Sequence, residues 1–387
     1  MRVTHVITRL IIGGAQENTV ATVLGLRRLA DFQVDLITGP TTGPEGSMES
    51  LFNSEPGALT VVPGLIRAVH PLFDYLTLQR LTRIFEASHP QIVHTHSGKA
   101  GILGRLAAHR AKVPIIIHTI HGPSFGDFQG ALSNFVFRNA ERYAGSVTSH
   151  FVTVAQAMTR QYLAAGIGRP EQYTRIFSGF TLAPYLAANN DPALRQRLQI
   201  DPSDIVVSTI ARLFQLKGHD DLLTAAPGLL KRCPCIKFLL IGDGEWRGRL
   251  QKRAEAMGLQ KHVLFAGLVP PAQIPGYLGI TDILVHLSRR EGLPRALPQA
   301  LAAGKPVVAY DCDGAGEVCL DGETGFLVRP DDLTTLTNRL VQLAENPALR
   351  ELLGSRGREF VRRSFSVETM VANICTLYQQ LMAKRHE

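Results

Sequence analysis

Glu291, Gly292 and Arg295 occupy a polar loop that joins two apolar segments. The run from Asp282 to Leu287 predicts a buried strand ending in a polar turn. Ala296 to Ala303 predicts a helix that Pro294 can open, because a missing N–H costs nothing at a first helical position. Gly304 and Pro306 close that helix, and Val307 to Tyr310 is the next strand. Strand, glycine-bearing loop, helix mouth and strand make a βαβ unit whose loop amides and helix dipole suit an anion. An ordinary crossover with a polar loop is the plainer alternative.

A second loop carries cations. Arg212 and Lys217 flank a turn between the strand Ile205 to Ile210 and a following helix, so both side chains can converge on one site. Two cations beside a helix start suit a diphosphate, although a solvated basic loop has the same composition. Near the N-terminus, Gly13 and Gly14 precede a helix from Ala15 to Leu29, where glycine lets a phosphate approach the backbone. Without a G-x-G-x-x-G pattern, a simple helix lead-in remains open. His94 and His96 alternate on a strand end and share a face. They read as cleft-lining polar residues, since a metal pair would need a third ligand that no fixed offset supplies. His121 ends the strand Val113 to Gly122 as another cleft histidine.

These elements sit in a repeated β-α alternation that restarts near Ile205, which predicts an α/β chain of two Rossmann-like domains. The segment from Phe125 to Arg142, with Phe128, Leu132, Phe135, Val136 and Asn139, predicts an amphipathic helix packed on the core, with an acceptor lipid as the other reading of its aromatics. Gly322 to Val328 reads as a glycine-bounded, hairpin-like end.

The stretch from His286 to Pro306 resembles the donor-site signature of retaining GT-B glycosyltransferases of the family 4 type, the glycosyl transferases group 1. In that signature a Glu-Gly loop leads to a second Glu eight residues later; here Glu291 is the first acid and Gln299 stands at the second position. The resemblance covers nearly the whole chain and is most specific in the second half. It implies a GT-B fold, two doubly wound domains facing across a cleft. It places an acceptor-binding domain at 1–180, a nucleotide-sugar domain at 181–365 and a helix crossing back at 366–387. Arg212, Lys217 and Gly218 match the family motif one by one. By the same resemblance Gly13 and Gly14 close on the donor diphosphate, His121 reaches the donor sugar, and Gly242 shapes the nucleotide pocket. Leu268 follows the strand whose trailing backbone meets the base, and Gly292, Leu293 and Pro294 complete the donor loop. Glu291, His121, Arg212 and Lys217 are the implied catalytic set. Gln299 replaces a Glu that accepts from the ribose hydroxyls, and a glutamine carbonyl can still accept one bond.

The implied reaction is metal-independent transfer of a sugar, with retention, from a nucleotide-sugar to a glycan or lipid-linked acceptor, with no cofactor. A nucleotide-sugar epimerase and a non-catalytic nucleotide-sugar-binding protein are the alternatives. Composition agrees with a folded chain: 387 residues, 45% hydrophobic and 19% charged, enough for two cores. The net charge of +8 points to an anionic partner, either a nucleotide-sugar or an anionic membrane surface. Nucleic acid is disfavoured, since no basic run interleaved with aromatics occurs. No run of about 18 apolar residues predicts a membrane span. Five cysteines at no zinc or disulfide spacing fit a reducing cytoplasm, with peripheral attachment at the inner membrane face as the expected location.

Overall fold

The computed structural model describes residues 1–41, 46–126 and 129–386. It divides into two compact units, Met1–Phe180 with Val367–Glu387, and Thr181–Ser366. The first unit runs β1 (Arg2–Ile7), α1 (Gly14–Arg27), β2 (Gln33–Thr38), β3 (Leu59–Val61), α2 (Pro71–Ser88), β4 (Ile92–His96), α3 (Gly98–Arg110), β5 (Ile115–Ile120), α4 (Ala131–Ser146), β6 (His150–Thr153), α5 (Gln156–Ala164) and β7 (Tyr173–Arg175). The second begins with the short helices α6 (Ala183–Leu186) and α7 (Pro192–Arg197). It continues β8 (Ile205–Ile210), α8 (His219–Arg232), β9 (Ile236–Ile241), α9 (Arg247–Ala256), β10 (Val263–Gly267), α10 (Ile274–Gly279), β11 (Ile283–His286), α11 (Ala296–Ala302), β12 (Val307–Tyr310), β13 (Gly325–Val328), α12 (Leu333–Glu345) and α13 (Pro347–Ser364). The last helix, α14 (Val367–His386), belongs to the first unit.

Each unit is built on one parallel sheet, ordered β3-β2-β1-β4-β5-β6-β7 in the first and β10-β9-β8-β11-β12-β13 in the second. Parallel strands covered by helices on both faces must be apolar throughout, which is why Ile115, Ile116 and Ile117 run together. In both sheets the strand order reverses at one point, between β1 and β4 and between β8 and β11. Loops leaving the carboxyl ends of those strands diverge there and open a crevice, the usual ligand position in doubly wound sheets.

The last helix is part of the first core. Met370, Val371, Ile374, Leu377 and Tyr378 pack with Val20, Val23 and Leu26. A Cβ on Gly25 would collide with the Val371 side chain, so glycine sets the spacing of α1 and α14.

Three expectations need correction. The helix after Glu291 begins at Ala296, and Pro294 stays in the loop. Pro298 explains this: started at Pro294, the helix would carry Pro298 at a position needing an N–H, with its ring against the Pro294 carbonyl. Starting at Ala296 puts Pro298 in the first turn, where that N–H is not required. Gly322 to Val328 is no hairpin, because β13 pairs parallel with β12. Finally, α4 does not bury the face expected of it: Leu132, Phe135 and Val136 are 78%, 59% and 52% exposed. Phe125 is buried outside the helix against the Tyr162 ring, 5.0 Å away. Phe128 lies outside the described residues.

In the second unit α13 crosses α11 at two glycines. A Cβ on Gly354 would overlap the Gly304 carbonyl oxygen, and one on Gly357 the Leu301 side chain. Gly354→Ala therefore tests how tightly α11 is seated. Helix propensity favours alanine by about 1 kcal/mol, while overpacking against backbone costs about 1–3 kcal/mol. The expected net result is destabilisation, read as a fall in Tm of a few degrees by calorimetry. A raised Tm would mean the two helices are not in close contact.

Candidate functional site

In the second unit the loops leaving β8 and β11 are fastened together at the reversal point. The Arg289 N–H donates to the Leu216 carbonyl at 2.8 Å. Gly218, at φ +72°, comes so near Leu287 that a Cβ would overlap the Leu287 carbonyl oxygen. Leu216 itself has φ +68°, a left-handed conformation that is uncommon and strained for a bulky residue. The Arg289 guanidinium bridges Asp221 at 2.7 Å and Asp331 at 2.6 Å, while the Tyr310 hydroxyl donates to Asp221 at 2.9 Å.

This clamp brings Lys217 against Glu291 in a partly buried ion pair. Lys217 Nζ also lies 3.4 Å from the Ser288 hydroxyl. The Glu291 N–H donates to the Asp313 carboxylate at 2.7 Å, and Asp313, at φ +49°, is a second residue in the left-handed region. His286 Nε2 is buried 3.7 Å from the Glu291 carboxylate and has no hydrogen-bond partner among the described residues. Burial pushes the Glu291 carboxyl upward, but the neighbouring His286 ring, the Lys217 ammonium and the bonds from Lys217 and Ser288 hold it below its ordinary range. It is an anion at neutral pH. Burial pushes His286 down to about 4, so that ring is neutral. The arrangement is a held carboxylate with an ammonium beside it, at the place where the sheet topology opens.

The other expected donor residues of the second unit fall on the same edge of this sheet with differing engagement, whereas Gly13 and Gly14 lie in the first unit. Gly292 and Leu293 are half-buried and Pro294 buried in the loop after Glu291. Gln299 is half-buried in the first turn of α11. Gly242 ends β9 at φ +139°, where any Cβ would overlap the Ala211 carbonyl oxygen, so it lets β9 approach the loop that carries Arg212. Arg212 was expected to converge with Lys217. In this structure its exposed guanidinium sits over the Phe214 ring, 5.6 Å from the centroid, and its carbonyl is held by His219 at 3.0 Å. Leu268 follows β10 with its side chain 81% exposed.

The reversal point of the first sheet opens into a cavity of about 550 Å³. Ile7 and Arg9 line it from the end of β1, Ser97 and Lys99 from the end of β4, and His121 from the end of β5. Lys99 pairs with Asp74 and donates to the Ala68 carbonyl. The Gln129 amide donates to the Ser124 carbonyl at 2.8 Å, leaving its buried Oε1 without a partner among the described residues. Gly13 caps and Gly14 begins α1, whose first turn contributes Gln16 to the wall. His94 and His96 do not line this cavity. Both are buried in the sheet face, where register places His5 of β1 opposite His94.

Sequence reasoning missed Ser288, Asp313, His286, His5 and Tyr378. The signal for His5 was a polar residue inside an apolar strand, but only the parallel register shows what it faces.

A family model described as "Glycosyl transferases group 1" matches residues 190–360, and one described as "Glycosyl transferase 4-like domain" matches residues 13–178. A UDP-Gal:alpha-D-GlcNAc-diphosphoundecaprenol alpha-1,3-galactosyltransferase of Escherichia coli is 26% identical over 328 residues, 84% of each chain. A GDP-mannose-dependent alpha-(1-6)-phosphatidylinositol monomannoside mannosyltransferase of Mycolicibacterium smegmatis is 28% identical over 284 residues, 71% of this chain and 72% of the other. Among solved structures, Anabaena HepE in complex with UDP superposes with a TM-score of 0.82 at 22% identity, over 98% of this chain and all of that one. The fold is therefore GT-B.

The buried histidines make stability pH-dependent. Burial holds His5 and His121 at about 3, against an ordinary value of 6.5, and His94 and His96 are lowered for the same first cause. Below pH 6.5 the unfolded chain binds protons that the folded chain refuses, so stability is lost as pH falls. Each such ring contributes a slope of about 1.4 kcal/mol per pH unit. Calorimetry between pH 7 and 5 should show Tm dropping steeply. A flat profile would contradict neutral, buried rings.

Proposed function

The chain belongs to the glycosyl transferases group 1, and we propose that it is a retaining enzyme moving a sugar from a nucleotide-sugar to an acceptor hydroxyl without a metal ion. The observation that carries this reading is the Lys217–Glu291 pair, clamped at the reversal point of the second sheet. When the bond between anomeric carbon and phosphate breaks, its electron pair leaves with the diphosphate and the sugar ring becomes cationic. Lys217 and the backbone amides after Glu291 stabilise the departing charge by being fixed in advance, and the exposed Arg212 side chain swings in from the same loop to join them. An ammonium has three donors, so Lys217 can serve Glu291 and a phosphate oxygen together. Ionised Glu291 supports the cationic ring or its hydroxyls. The departing phosphate oxygen takes the proton of the attacking hydroxyl on the same face. Gln299 accepts a neutral hydrogen bond where the family has a charged one, at a cost of about 1–2 kcal/mol in donor affinity.

The first unit supports an acceptor with anionic and apolar parts, such as a lipid-linked glycan. Its cavity presents Arg67 and Lys99, while the orphan Oε1 of Gln129 suits a sugar hydroxyl. Leu72, Phe73 and Leu76 on α2 and Leu132, Phe135 and Val136 on α4 are exposed apolar side chains, and the same two helices supply Asp74 and Val136 to the cavity wall. Among the described residues no helix is long and apolar enough to cross a membrane, so attachment to an anionic bilayer would be peripheral. The base is open, since one relative is named for UDP-Gal and another for GDP-mannose.

A thermal-shift screen over nucleoside diphosphates and their sugars identifies the donor, because a ligand of the folded state raises Tm. With that donor, Glu291→Ala should lower transfer by on the order of a hundredfold or more, Gln299→Glu should keep or raise it, and EDTA should leave it unchanged. Wild-type-like turnover by the alanine variant would defeat the assignment. A donor altered with no acceptor present would mark an epimerase, and binding without transfer a sensor. Leu132→Asp with Phe135→Asp should weaken flotation with anionic phospholipid vesicles; undiminished flotation would remove α4 from the membrane face.

A further inference from the structure

One face of the first sheet carries an unbroken row of polar side chains in an apolar core. Register sets it out: His5 lies opposite His94, His96 opposite Thr119, and His121 follows Thr119 by two residues on the same face. Tyr378 of α14 closes over them. The contacts link end to end. Thr119 Oγ1 is 2.6 Å from His94 Nε2, and His94 Nδ1 is 2.6 Å from the Tyr378 hydroxyl. That hydroxyl is 3.2 Å from His5 Nε2, His5 Nδ1 is 2.9 Å from His96 Nε2, and His96 Nδ1 is 3.1 Å from His121 Nε2.

The three rings of His5, His94 and His96 bring nitrogens within 4.8 Å of one another, close enough to suggest a metal triad. Their hydrogen bonds argue otherwise. His5 Nδ1 and His96 Nε2 face each other at 2.9 Å in rings 15° from parallel, and the other four nitrogens of the three rings are bonded to Thr119, Tyr378 and His121.

We propose that Thr119, His94, Tyr378, His5 and His96 form one directional hydrogen-bonded array that fixes the tautomer of His121 in the cavity wall. A neutral imidazole has one donor and one acceptor nitrogen, and a phenol has one proton to give. Every link needs one proton, so choosing the direction of any link fixes all the others. Only two states satisfy the array. In one, all four histidines carry Nδ1–H; in the other, all four carry Nε2–H. Thr119 decides between them. It is buried, and His94 is the hydrogen-bond partner of its hydroxyl among the described residues. When Thr119 donates to His94 Nε2, its own proton is satisfied. His94 then donates to Tyr378, Tyr378 to His5, His5 to His96, and His96 to His121 Nε2. His121 is left with Nδ1–H, a donor for an oxygen in the cavity. Burial keeps all four rings uncharged, as the array requires. His5, His94, His96, Thr119 and Tyr378 are positioning residues; they act on a ligand only through His121.

The inference rests on the reading above only in taking the cavity as a substrate site, and its test needs no substrate. Two-bond proton–nitrogen correlation spectra of the full-length, histidine-labelled protein report which nitrogen of each ring is protonated. His5, His94, His96 and His121 should all be Nδ1–H. Thr119→Val removes the deciding donor and Tyr378→Phe cuts the array in the middle. In either variant the His121 nitrogens should shift toward the Nε2–H pattern or an average of the two. Wild-type rings in mixed tautomers or all Nε2–H would overturn the proposal, as would an unmoved His121 in a folded Thr119→Val protein. Addition of Zn²⁺ that shifts His5, His94 and His96 together at stoichiometric amounts would replace the array with a metal centre. Loss of the array would leave the transferase reading standing, and loss of the Glu291 phenotype would leave the array standing.

Discussion

A lysine and a glutamate cannot be left half-buried side by side unless the backbone holds them there, and the second unit depends on that constraint. Lys217 comes from the loop after β8 and Glu291 from the loop after β11. Nothing in either loop alone would bring the charges together. The sheet sets β8 beside β11 at the point where strand order reverses, and the Leu216–Arg289 hydrogen bond sets the register of the loops. Arg289 then spends its guanidinium on Asp221 and Asp331, away from the pair, so Glu291 keeps Lys217 as its cation. Burial opposes ionisation of Glu291, and the positive charge beside it wins.

The glycines around the pair are best understood as places where backbone must touch backbone. Gly218 against Leu287 and Gly242 against Ala211 admit no Cβ. Resemblance marks Gly242 as part of a nucleotide pocket, and its geometry adds a packing reason for the same residue. Strain is also concentrated here. Leu216 and Asp313 adopt left-handed backbone conformations beside the ion pair, each held by the contacts its neighbours make. Such strain persists where surrounding structure over-determines it, and its usual home is a functional site.

Much of this was legible in the sequence, for identifiable reasons. Short β-branched apolar runs such as Ile115 to Ile117 read as buried strands, and their alternation with helices pointed to the doubly wound pattern. Glu291 and Lys217 were recognisable because the loop motifs that carry them are local in sequence. What was not legible depended on distance along the chain. His5 and Tyr378 are 373 residues apart yet in contact, and only sheet register and the return of α14 to the first unit unite them. His94 and His96 were placed on one face correctly, but that face is core, covered by α1 and α14, and not a cleft. The exposed face of α4 misled because helical periodicity reports an apolar stripe without saying what covers it. The late start of α11 followed from one proline whose ring geometry outweighed the usual start signal at another.

The central claim is that the two clamped loops receive a nucleoside diphosphate. Amide hydrogen exchange, with and without the diphosphate that gives the largest thermal shift, tests it most directly. Protection that includes residues 211–218 and 287–295 of the second unit is the predicted result. Protection elsewhere, with those two loops exchanging at their unliganded rates, would contradict the account.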